Sequence, residues 1–487
     1  MPTLFVWLLG VILGVIVITF IYDISQSKNA ILRNYPVVGH FRYLFSTMGE
    51  FFRQYLFAMD REEMPFNRAE REWVNRAASD KDNTIAFGST KSLNTPGTAI
   101  FINCPFPTLD ADAVKTKAII IGEHFNDQPY TAKSIFNISG MSFGAISKPA
   151  VLALSNGARM AGCWMNTGEG GLSSYHLEGG ADLVFQIGTA KYGVRNEDGS
   201  LSRKKLIKIA QYKQVKMFEI KVAQGAKPGK GGILPGIKVT KKIAEIRGIP
   251  EGEDSISPNR HIEASNASEL LDMINLVRDI TKKPVGFKTV IGHIKWLDAL
   301  LEEVDKRGEA SAPDFITVDG GDGGTGAAPM ALMDSVGLPL KESLPLVVNK
   351  LMQHGLEDRI KVIASGKMIT PADVAWAICA GADFVTSARG FMFAIGCIQS
   401  LKCNKNTCPT GITTHNKRLQ KGLNTQNKAL KVNNYIGNMV KTVETIAHSC
   451  GVKEVHGLNH THVRIVQMNG KSTPMNELYP TCSEGEN

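Results

Sequence analysis

Residues 314–326 read DFITVDGGDGGTG, a short β-forming run that opens directly into a loop of glycine and aspartate. The same order of β-rich run, polar loop and amphipathic helical stretch recurs eight times from about residue 134. Strict alternation of this kind predicts a parallel sheet with a helix after each strand. We therefore predict an α/β protein whose core is a (β/α)8 TIM barrel. The predicted strands are residues 135–139, 163–166, 183–187, 218–222, 284–289, 315–318, 361–364 and 384–386.

A doubly wound open sheet is the competing interpretation of this alternation. That fold should carry a GxGxxG turn after its first strand, and the sequence has none there. Amphipathic helical stretches between the predicted strands agree with either fold. Examples are residues 148–160, 264–279, 345–354 and 371–380.

Polar or glycine-rich residues mark the ends of seven of the eight predicted strands. In a barrel the carboxyl ends of all strands meet at one mouth, where the chemistry of such folds takes place. We therefore expect a binding site there, with cofactor contacts from Ser142, Asn166, Gly323 and Gly324. The seven segments are residues 140–142, 166–171, 221–227, 288, 319–326, 365–367 and 387–390.

The last two of these segments predict a phosphate site. Barrels often bind phosphate near the seventh and eighth strands, on backbone amides at a helix N-terminus. Ser365, Gly366 and Gly390 would let the backbone approach the anion, and Lys367 or Arg389 would supply positive charge. The alternative is a pair of tight turns without a ligand.

Lys288 stands in a predicted strand that is otherwise apolar. A buried lysine is costly unless negative charge lies beside it. A reduced, ionised flavin ring supplies such charge, so Lys288 indicates a flavin in the barrel mouth. The alternative is a structural lysine paired with Glu169 or Asp319.

Cys397, Cys403 and Cys408 lie within 12 residues, soon after the last predicted strand. Thiolates this close together suit a soft metal or an iron–sulfur cluster. Three ligands indicate a three-iron cluster, or one whose fourth ligand comes from elsewhere. The alternative is that they are small buried apolar side chains. The other five cysteines are scattered, which indicates a reducing compartment without a disulfide framework.

Residues 4–22 form an uncharged run of 19 residues, long enough to cross a bilayer as a helix. A signal peptide is the alternative, but no Lys or Arg precedes the run and no small-residue cleavage site follows it. Lys28, Arg33 and Arg42 follow the run, so the positive-inside rule places the rest of the chain in the cytoplasm. We expect residues 1–25 to be a single-pass membrane anchor and 26–115 a small helical flanking region.

The net charge of the 487 residues is +9, and no nucleic-acid motif accompanies the basic residues. We therefore expect no binding to nucleic acid. A basic face would instead steer an acidic electron carrier or an anionic substrate.

Four ordered motifs resemble those of a known family. They are EIKVAQGAKPGKGGILPGIKV at 219–239, NTGEGG at 166–171, DGGTGAAP at 322–329 and the spacing of the three cysteines. Residues 116–455 thereby resemble the FMN-binding synthase domain of glutamate synthase. The resemblance implies a barrel that holds FMN and a 3Fe-4S cluster. It also implies an enzyme that reduces 2-iminoglutarate, formed from 2-oxoglutarate and ammonia, to L-glutamate.

The resemblance assigns roles to individual residues. Lys227 and Gln224 would hold 2-oxoglutarate, with Arg247 as a further contact. Glu169 would lie beside substrate and flavin and, with a pKa tuned by burial, would carry a proton during imine formation. Lys288 would lie at the pyrimidine edge of the flavin, and the three cysteines of loop 396–411 would ligate the cluster.

The nitrogen donor is left open by departures from the family pattern. Full-length members begin with an amidotransferase domain, whereas Met1 and Pro2 precede the apolar run here, so ammonia would come free or from a separate glutaminase. We expect residues 456–487 to be a C-terminal tail. Ile233 stands where the family usually has Gln, and Lys230 where it has Glu. This more apolar site leaves an amine donor and an N-alkylglutamate product as an alternative.

The electron donor is also open, because the sequence shows no second nucleotide-binding fingerprint. A ferredoxin-like protein or a separate NAD(P)H-oxidising subunit would serve. A last alternative, from another class, is a membrane-tethered flavin and iron–sulfur subunit that only transfers electrons.

Overall fold

The computed structural model describes residues 2–480, and its contacts divide the chain into two compact units. The first unit ends at Ala69 and the second begins at Glu70. The first unit is helical. It contains α1 (Pro2–Ser25), α2 (Ala30–Asn34) and α3 (Gly39–Phe52), which continues into a π-helical turn at Arg53–Phe57.

Helix α1 covers the apolar run predicted from the sequence. Its segment Thr3–Ser25 is long and apolar enough to cross a membrane, by length and composition alone. A signal sequence near an N-terminus would meet the same two conditions.

The second unit carries every strand of the described residues and the helices that follow α4 (Arg68–Ala78). Helix α4 itself contains the point of division. In chain order there follow β1 (Ala99–Phe101), β2 (Ile119–Ile121), β3 (Tyr130–Ala132), β4 (Phe136–Ile138), α5 (Lys148–Ala161), β5 (Trp164–Asn166), α6 (Ser174–Gly179), β6 (Asp182–Ile187), α7 (Arg203–Ala210), β7 (Val215–Lys221), β8 (Ile233–Leu234), α8 (Lys241–Arg247), β9 (Ser255–Ile256), α9 (Ala267–Thr281), β10 (Val285–Thr289), α10 (Lys295–Arg307), β11 (Phe315–Asp319), α11 (Met330–Ser335), α12 (Leu340–Gln353), β12 (Lys361–Ser365), α13 (Pro371–Cys379), β13 (Phe384–Ser387), α14 (Arg389–Ala394), α15 (Lys417–Gln420), α16 (Thr425–Ser449), β14 (Val463–Val466), β15 (Ser472–Pro474) and α17 (Met475–Leu478).

Eight parallel strands, β4 to β7 and β10 to β13, close into a barrel. The closing pair is β13 with β4, in the register Val385↔Phe136. Strands β10 and β11 are buried at every position, as expected when one face lines the barrel interior and the other is covered by helices. The predicted (β/α)8 barrel and its eight strands are therefore confirmed, and the open sheet is excluded.

A small antiparallel sheet lies outside the barrel and differs from the sequence expectation. Strand β1 pairs with β14 in the register Ala99↔Ile465, and β14 pairs with β15. The sheet thus draws on residues expected to be a helical flank, 26–115, and on residues expected to be a tail, 456–487. Strands of three or four residues carry little periodicity, and their partners lie far away in the sequence.

Helix α16 packs directly against α5. A Cβ placed on Gly157 would lie 2.5 Å from the Cβ of Val432, so the two helices require glycine at this crossing. Tyr435 of α16 donates a hydrogen bond to the Ile369 carbonyl at 2.8 Å. This long helix therefore buttresses the side of the barrel that carries the loops after β12 and β13.

Candidate active site

Two adjoining cavities open at the carboxyl ends of the barrel strands. The larger measures about 220 Å³ and is lined in part by Glu169, Lys227, Ile233 and Arg247. The smaller measures about 70 Å³ and is lined in part by residues of 365–369 and 386–389. Both are bordered by Gln186, Lys221 and Gln224. The predicted mouth therefore brings most of the predicted site residues together.

Lys221, the last residue of β7, holds two of the predicted residues in place. Its ammonium donates to Glu169 Oε1 at 2.7 Å and to Gln224 Oε1. Burial alone would raise the pKa of Glu169, but the charges of Lys221, Lys227 and Arg247 outweigh burial and lower it. Glu169 is therefore held as a carboxylate. The sequence predicts that burial tunes the pKa of Glu169, whereas in the structure the surrounding cations determine its charge.

Lys227 is the least satisfied cation of the larger cavity. It is buried, and among residues 2–480 its ammonium has no hydrogen-bonding partner. Burial and then the nearby Lys221 charge lower the pKa of Lys227 to about 8, although Glu169 opposes the shift. An ammonium in this state suits an anionic ligand, and it also exchanges its proton near neutral pH.

Arg247, at the end of α8, supplies a second cation to the same cavity. Its Nη1 donates to Ser255 Oγ at 2.9 Å and its Nη2 to Ser142 Oγ at 3.4 Å. The guanidinium lies over the Tyr192 ring, 5.1 Å from its centroid. Its Nε is buried without a partner among the described residues. Burial lowers the pKa of Arg247.

Lys288 of β10 lies between the smaller cavity and two carboxylates. Its ammonium is 3.2 Å from Asp319 Oδ2. Burial alone would lower the pKa of Lys288, but Asp319 and then Glu219 outweigh burial and raise it. The structural pairing with Asp319 considered from the sequence is therefore present, and Lys288 lines the cavity as well.

Glu219 forms the floor beneath the mouth. It is 3% exposed and accepts hydrogen bonds from Asn166 Nδ2 at 2.8 Å, Gln186 Nε2 at 2.6 Å and Thr317 Oγ1 at 2.7 Å. Asn166 therefore lies in the floor rather than on the cavity wall. One carboxylate thus ties β5, β6, β7 and β11 together under the site.

Glu219, Gln186 and Lys221 are functional candidates to which the sequence assigned no individual role, although Lys221 begins one of the predicted polar segments. A signal for two of them exists in the sequence of β7, VKMFEIK, where Glu219 and Lys221 are two residues apart in a buried strand. Side chains at that spacing share one face of a strand. Since buried charges need partners, the pair indicates a polar barrel interior.

The predicted phosphate loops supply open backbone and positive charge. Gly366 has φ +132°, and Lys367 beside it has φ +54° with its ammonium 3.8 Å from Asp322 Oδ2. A Cβ on Gly324 would lie 2.7 Å from the Arg389 guanidinium carbon, so glycine leaves that guanidinium room at the cavity. Burial lowers the pKa of Arg389 to about 10 although Asp319 and Asp322 oppose the shift.

Two of the predicted glycines are explained by packing. A Cβ on Gly390 would clash with the Tyr435 hydroxyl, and the Gly390 amide donates to Ser387 Oγ at 3.3 Å. A Cβ on Gly323 would lie 2.8 Å from the Gly320 carbonyl oxygen. By contrast, Ser365 lines the smaller cavity and donates to Asp319 Oδ1 at 2.7 Å.

The three cysteines lie in the loop that follows α14. Cys408 is buried, and Cys397 and Cys403 are half-buried. Within residues 2–480, no three His, Cys, Asp or Glu groups are arranged to hold a metal ion. Burial, opposed by the hydrogen bond from the Gln399 amide and assisted by the charges of Cys403 and Cys408, raises the pKa of Cys397 to about 11. Cys403 also borders the larger cavity.

Lys238 joins this loop to the mouth. Its buried ammonium donates to the Ala145 carbonyl at 2.7 Å and to the Cys403 carbonyl at 3.3 Å. The contact places the cysteine loop directly against the loops after β4 and β7. The sequence contained no signal for this role, since Lys238 is one of several lysines in a basic stretch.

Comparisons with known proteins agree with this architecture. Residues 90–453 match the model of the conserved region in glutamate synthase. The glutamate synthase large subunit-like protein YerD of Bacillus subtilis is 40% identical over 508 aligned positions, covering 95% of this chain and 96% of that protein. The archaeal glutamate synthase (NADPH) of Methanocaldococcus jannaschii is 34% identical over 338 residues, covering 69% of this chain and 62% of that protein.

One similar solved structure is a flavocytochrome b2 variant with benzoylformate, 16% identical with a TM-score of 0.47 and 86% of each chain covered. A similarity at this level of identity and TM-score supports no conclusion about function. The closed barrel and the family match together define the class as a (β/α)8-barrel oxidoreductase. The chain belongs to the glutamate synthase family. It spans 62% of the length of the archaeal relative.

Proposed function

We propose that the protein is an FMN-dependent oxidoreductase that reduces 2-iminoglutarate, formed from 2-oxoglutarate and ammonia, to L-glutamate. The observation that carries the proposal is the surplus of buried cations at the barrel mouth. Lys227 and Arg247 face the larger cavity with donors that the described residues leave unsatisfied. Buried cations of this kind call for an anionic ligand. The relative from Methanocaldococcus jannaschii is named a glutamate synthase (NADPH), which supports glutamate as the product.

The smaller cavity has the features that FMN requires. Gly324 and Gly366 keep the backbone open, and Arg389 and Lys367 lie beside them to balance a phosphate. Lys288 would lie at the pyrimidine edge of the ring, where its raised pKa keeps it positively charged. When bound, FMN would supply the hydride that the imine carbon accepts.

The residues of the larger cavity would bind and orient the substrate. Arg247 and Lys227 would each hold a carboxylate of 2-oxoglutarate, and Gln224 would add a hydrogen bond. Lys221 keeps Glu169 ionised, so Glu169 would attract the ammonium donor and hold it beside the oxo carbon, while the donor's proton leaves to solvent. Lys227, with a pKa of about 8, would give a proton to the departing water. The balance is one oxo acid and one ammonia giving imine and water, then two electrons and two protons giving glutamate.

The cysteine loop is proposed to hold a 3Fe-4S cluster on Cys397, Cys403 and Cys408. Thiolates are the ligand type that such a cluster takes, the three cysteines share one loop, and the Gln399 amide donates to Cys397 Sγ at 3.4 Å. When bound, the cluster would pass single electrons from an external donor. Of the three proposed ligands, Cys403 borders the larger cavity, which would bring the cluster close to the substrate site.

The donor is proposed to be an acidic, ferredoxin-like protein or a separate NAD(P)H-oxidising subunit. Between Asp383 and Glu444 the sequence has nine Lys or Arg residues and no Asp or Glu. Lys402, Lys405 and Lys417 in this stretch are exposed. A positive surface around the cysteine loop would attract an acidic carrier.

An N-alkylglutamate synthase is the second candidate, and Ile233 favours it. This side chain lines the larger cavity and is 37% exposed, and Leu234, Ala327 and Met392 add apolar wall. An apolar wall would accept the alkyl group of an amine donor, whereas ammonia has none. If ammonia is the donor, it would come free or from a separate glutaminase.

The chain is also proposed to be anchored by α1, with the barrel in the cytoplasm, as the flanking Lys28, Arg33 and Arg42 indicate. On this proposal residues 1–25 form the anchor and 26–115 the flank. Residues 116–455 form the catalytic barrel with its cluster loop at 396–411, and 456–487 form a C-terminal tail whose strand β14 pairs with β1 and with β15.

The test is anaerobic stopped-flow spectroscopy on the full chain, purified in detergent with its cofactors and photoreduced. It is mixed with 2-oxoglutarate plus ammonium, and separately with 2-oxoglutarate plus methylamine. We expect flavin reoxidation with at least one nitrogen donor, and glutamate or N-methylglutamate as product. If flavin is present but no oxo acid and amine reoxidise it, the synthase proposal fails and the electron-transfer alternative replaces it.

A further inference from the structure

Residues 39–57 of the first unit form an amphipathic helix, α3 with its π-helical extension. Apolar side chains recur at spacings of three and four residues, which places them on one helix face. Arg42, Ser46 and Arg53 fall on the opposite face. The apolar face is formed by Phe41, Leu44, Phe45, Phe52, Tyr55 and Leu56.

This apolar face is exposed in the unit that carries it. Phe45 is 62% exposed, Tyr55 59% and Leu56 66%. Phe41 and Phe45 stack on each other, with ring centroids 6.4 Å apart, without becoming buried. Exposed apolar surface of this extent and pattern marks an interaction site.

The start of α3 is tied to the end of α1. Asp23 Oδ2 accepts a hydrogen bond from the Val37 amide at 2.8 Å, and the His40 ring nitrogen Nε2 lies 3.0 Å from the same carboxylate. Asn29 donates to the Tyr43 hydroxyl at 2.8 Å. These contacts hold the first turn of α3 beside the last turns of α1. A bilayer that contains α1 would therefore have its headgroups at the level where α3 begins.

The composition of this segment matches a membrane surface. Residues 26–57 contain Lys28, Arg33, Arg42 and Arg53 but only one acidic residue, Glu50. Helices that lie in the headgroup region combine an aromatic and aliphatic face with basic residues on the polar side. The cytoplasmic leaflet is negatively charged and attracts such residues.

We propose that residues 39–57 lie flat on the anionic cytoplasmic surface of the bilayer, with the apolar face inserted at the level of the first acyl carbons. The inference rests on the anchoring role proposed for α1 but is independent of the reaction. The occupant of the face is thus lipid, rather than protein or a second copy of this chain.

The test compares two tryptophan variants of the full chain, Phe45→Trp and Ser46→Trp, which probe opposite faces at adjacent positions. Both are reconstituted in vesicles of phosphatidylcholine and phosphatidylglycerol, with or without bromine on the acyl chains. We expect bromolipid to quench the added fluorescence at least about threefold more for Phe45→Trp than for Ser46→Trp. A blue-shifted emission should accompany the stronger quenching.

The native Trp7 of α1 separates the two proposals, because its quenching is measured by comparing the wild type with Trp7→Phe. Suppose that Trp7 is quenched but that the tryptophans at 45 and 46 are quenched equally or not at all. That result would overturn the surface helix and leave the anchor. In that case a protein surface covers the face. An unquenched Trp7 would overturn both, while the stopped-flow result for the reaction would be unaffected.

Discussion

Asp314 and Asp319 stand at the two ends of β11, one directly before the strand and the other as its last residue. Both are buried next to cations. Asp314 accepts from Arg278 Nε at 3.1 Å, Arg359 Nη1 at 3.0 Å, Asn126 Nδ2 at 3.0 Å and the Val285 amide at 2.8 Å. Neither Asp314 nor its two arginine partners line either of the two cavities at the mouth. The charge of Asp314 at the amino end of β11 is thus saturated by donors of the chain itself.

At the carboxyl end of β11, Asp319 is also a buried aspartate beside a cation, but the charges around it are not balanced. Asp319 accepts from Ser365 Oγ at 2.7 Å and the Gly225 amide at 2.8 Å, and it pairs with Lys288 at 3.2 Å. The cations around it outnumber the carboxylates, and they face the two cavities. A buried ion pair therefore indicates function when the cations around it exceed the carboxylates and line a cavity. A pair saturated by the chain itself is structural.

The largest expected effect is on activity at the mouth. Lys227→Gln should lower kcat/KM for 2-oxoglutarate by about 100- to 1,000-fold, since losing one charged contact to a carboxylate costs about 2–5 kcal/mol. Steady-state kinetics and thermal unfolding measure the two consequences, and the unfolding midpoint should stay unchanged. Lys230→Gln is the control, because Lys230 is exposed three residues away. A loss shared equally by both variants would contradict the assignment.

The next effect is on stability at the amino end of β11. Asp314→Asn leaves Arg278 and Arg359 buried with a neutral partner, so unfolding in denaturant should become easier by about 3 kcal/mol. Activity per folded molecule should be retained. Asp305→Asn, which affects only the half-exposed pair with His354, should cost less than about 0.5 kcal/mol. Equal costs at the two sites would show that the Asp314 network is not a stabilising element.

A pH profile gives a smaller, graded effect at the mouth. Lys227 has a pKa lowered to about 8, so it is protonated below that pH and loses its charge above it. We expect kcat/KM for 2-oxoglutarate to be level below about pH 8 and to fall about tenfold per pH unit above it. In Lys227→Arg the fall should move to higher pH, because arginine keeps its charge. An unshifted profile in that variant would assign the titration to another group.

The smallest effect concerns the nitrogen donor. Ile233→Gln places an amide in the apolar wall of the larger cavity. The ratio of kcat/KM for methylamine to that for ammonium should fall by about tenfold, which is the scale of one lost apolar contact. Competition between the two donors, read by mass spectrometry of the products, measures this ratio. An unchanged ratio would remove the reason to favour an amine.

The barrel could be predicted from the sequence because alternation of strand, polar loop and helix is a local signal. Strand β11 shows why: its apolar run and the glycines that follow it are adjacent in the chain. The sheet of β1, β14 and β15 could not be predicted, since its pairing joins Ala99 to Ile465. Burial and hydrogen bonding between distant residues have no counterpart in local periodicity.

The position of the candidate site could be predicted, but the hydrogen bonds and ion pairs within it could not. Glu169, Lys227 and Lys288 could be placed at strand ends, and the structure brings them to one mouth. That Lys221 holds Glu169 ionised depends on the contact between β7 and the loop after β5. Likewise, the sequence predicts Gly390 as a phosphate-loop glycine, whereas the structure shows that Tyr435 of α16 packs against it and leaves no room for a Cβ. Such contacts are set by packing between elements far apart in the chain.

The most direct test of an anion-binding mouth is a titration of 2-oxoglutarate into the oxidised, flavin-loaded full chain below pH 8, followed by the flavin absorption spectrum. The wild type and Asp314→Asn should show the same saturable spectral shift, and Lys227→Gln should show at least about a hundredfold weaker binding. Equal binding in all three, or no shift in the wild type, would contradict the assignment of the mouth as the site for the oxo acid.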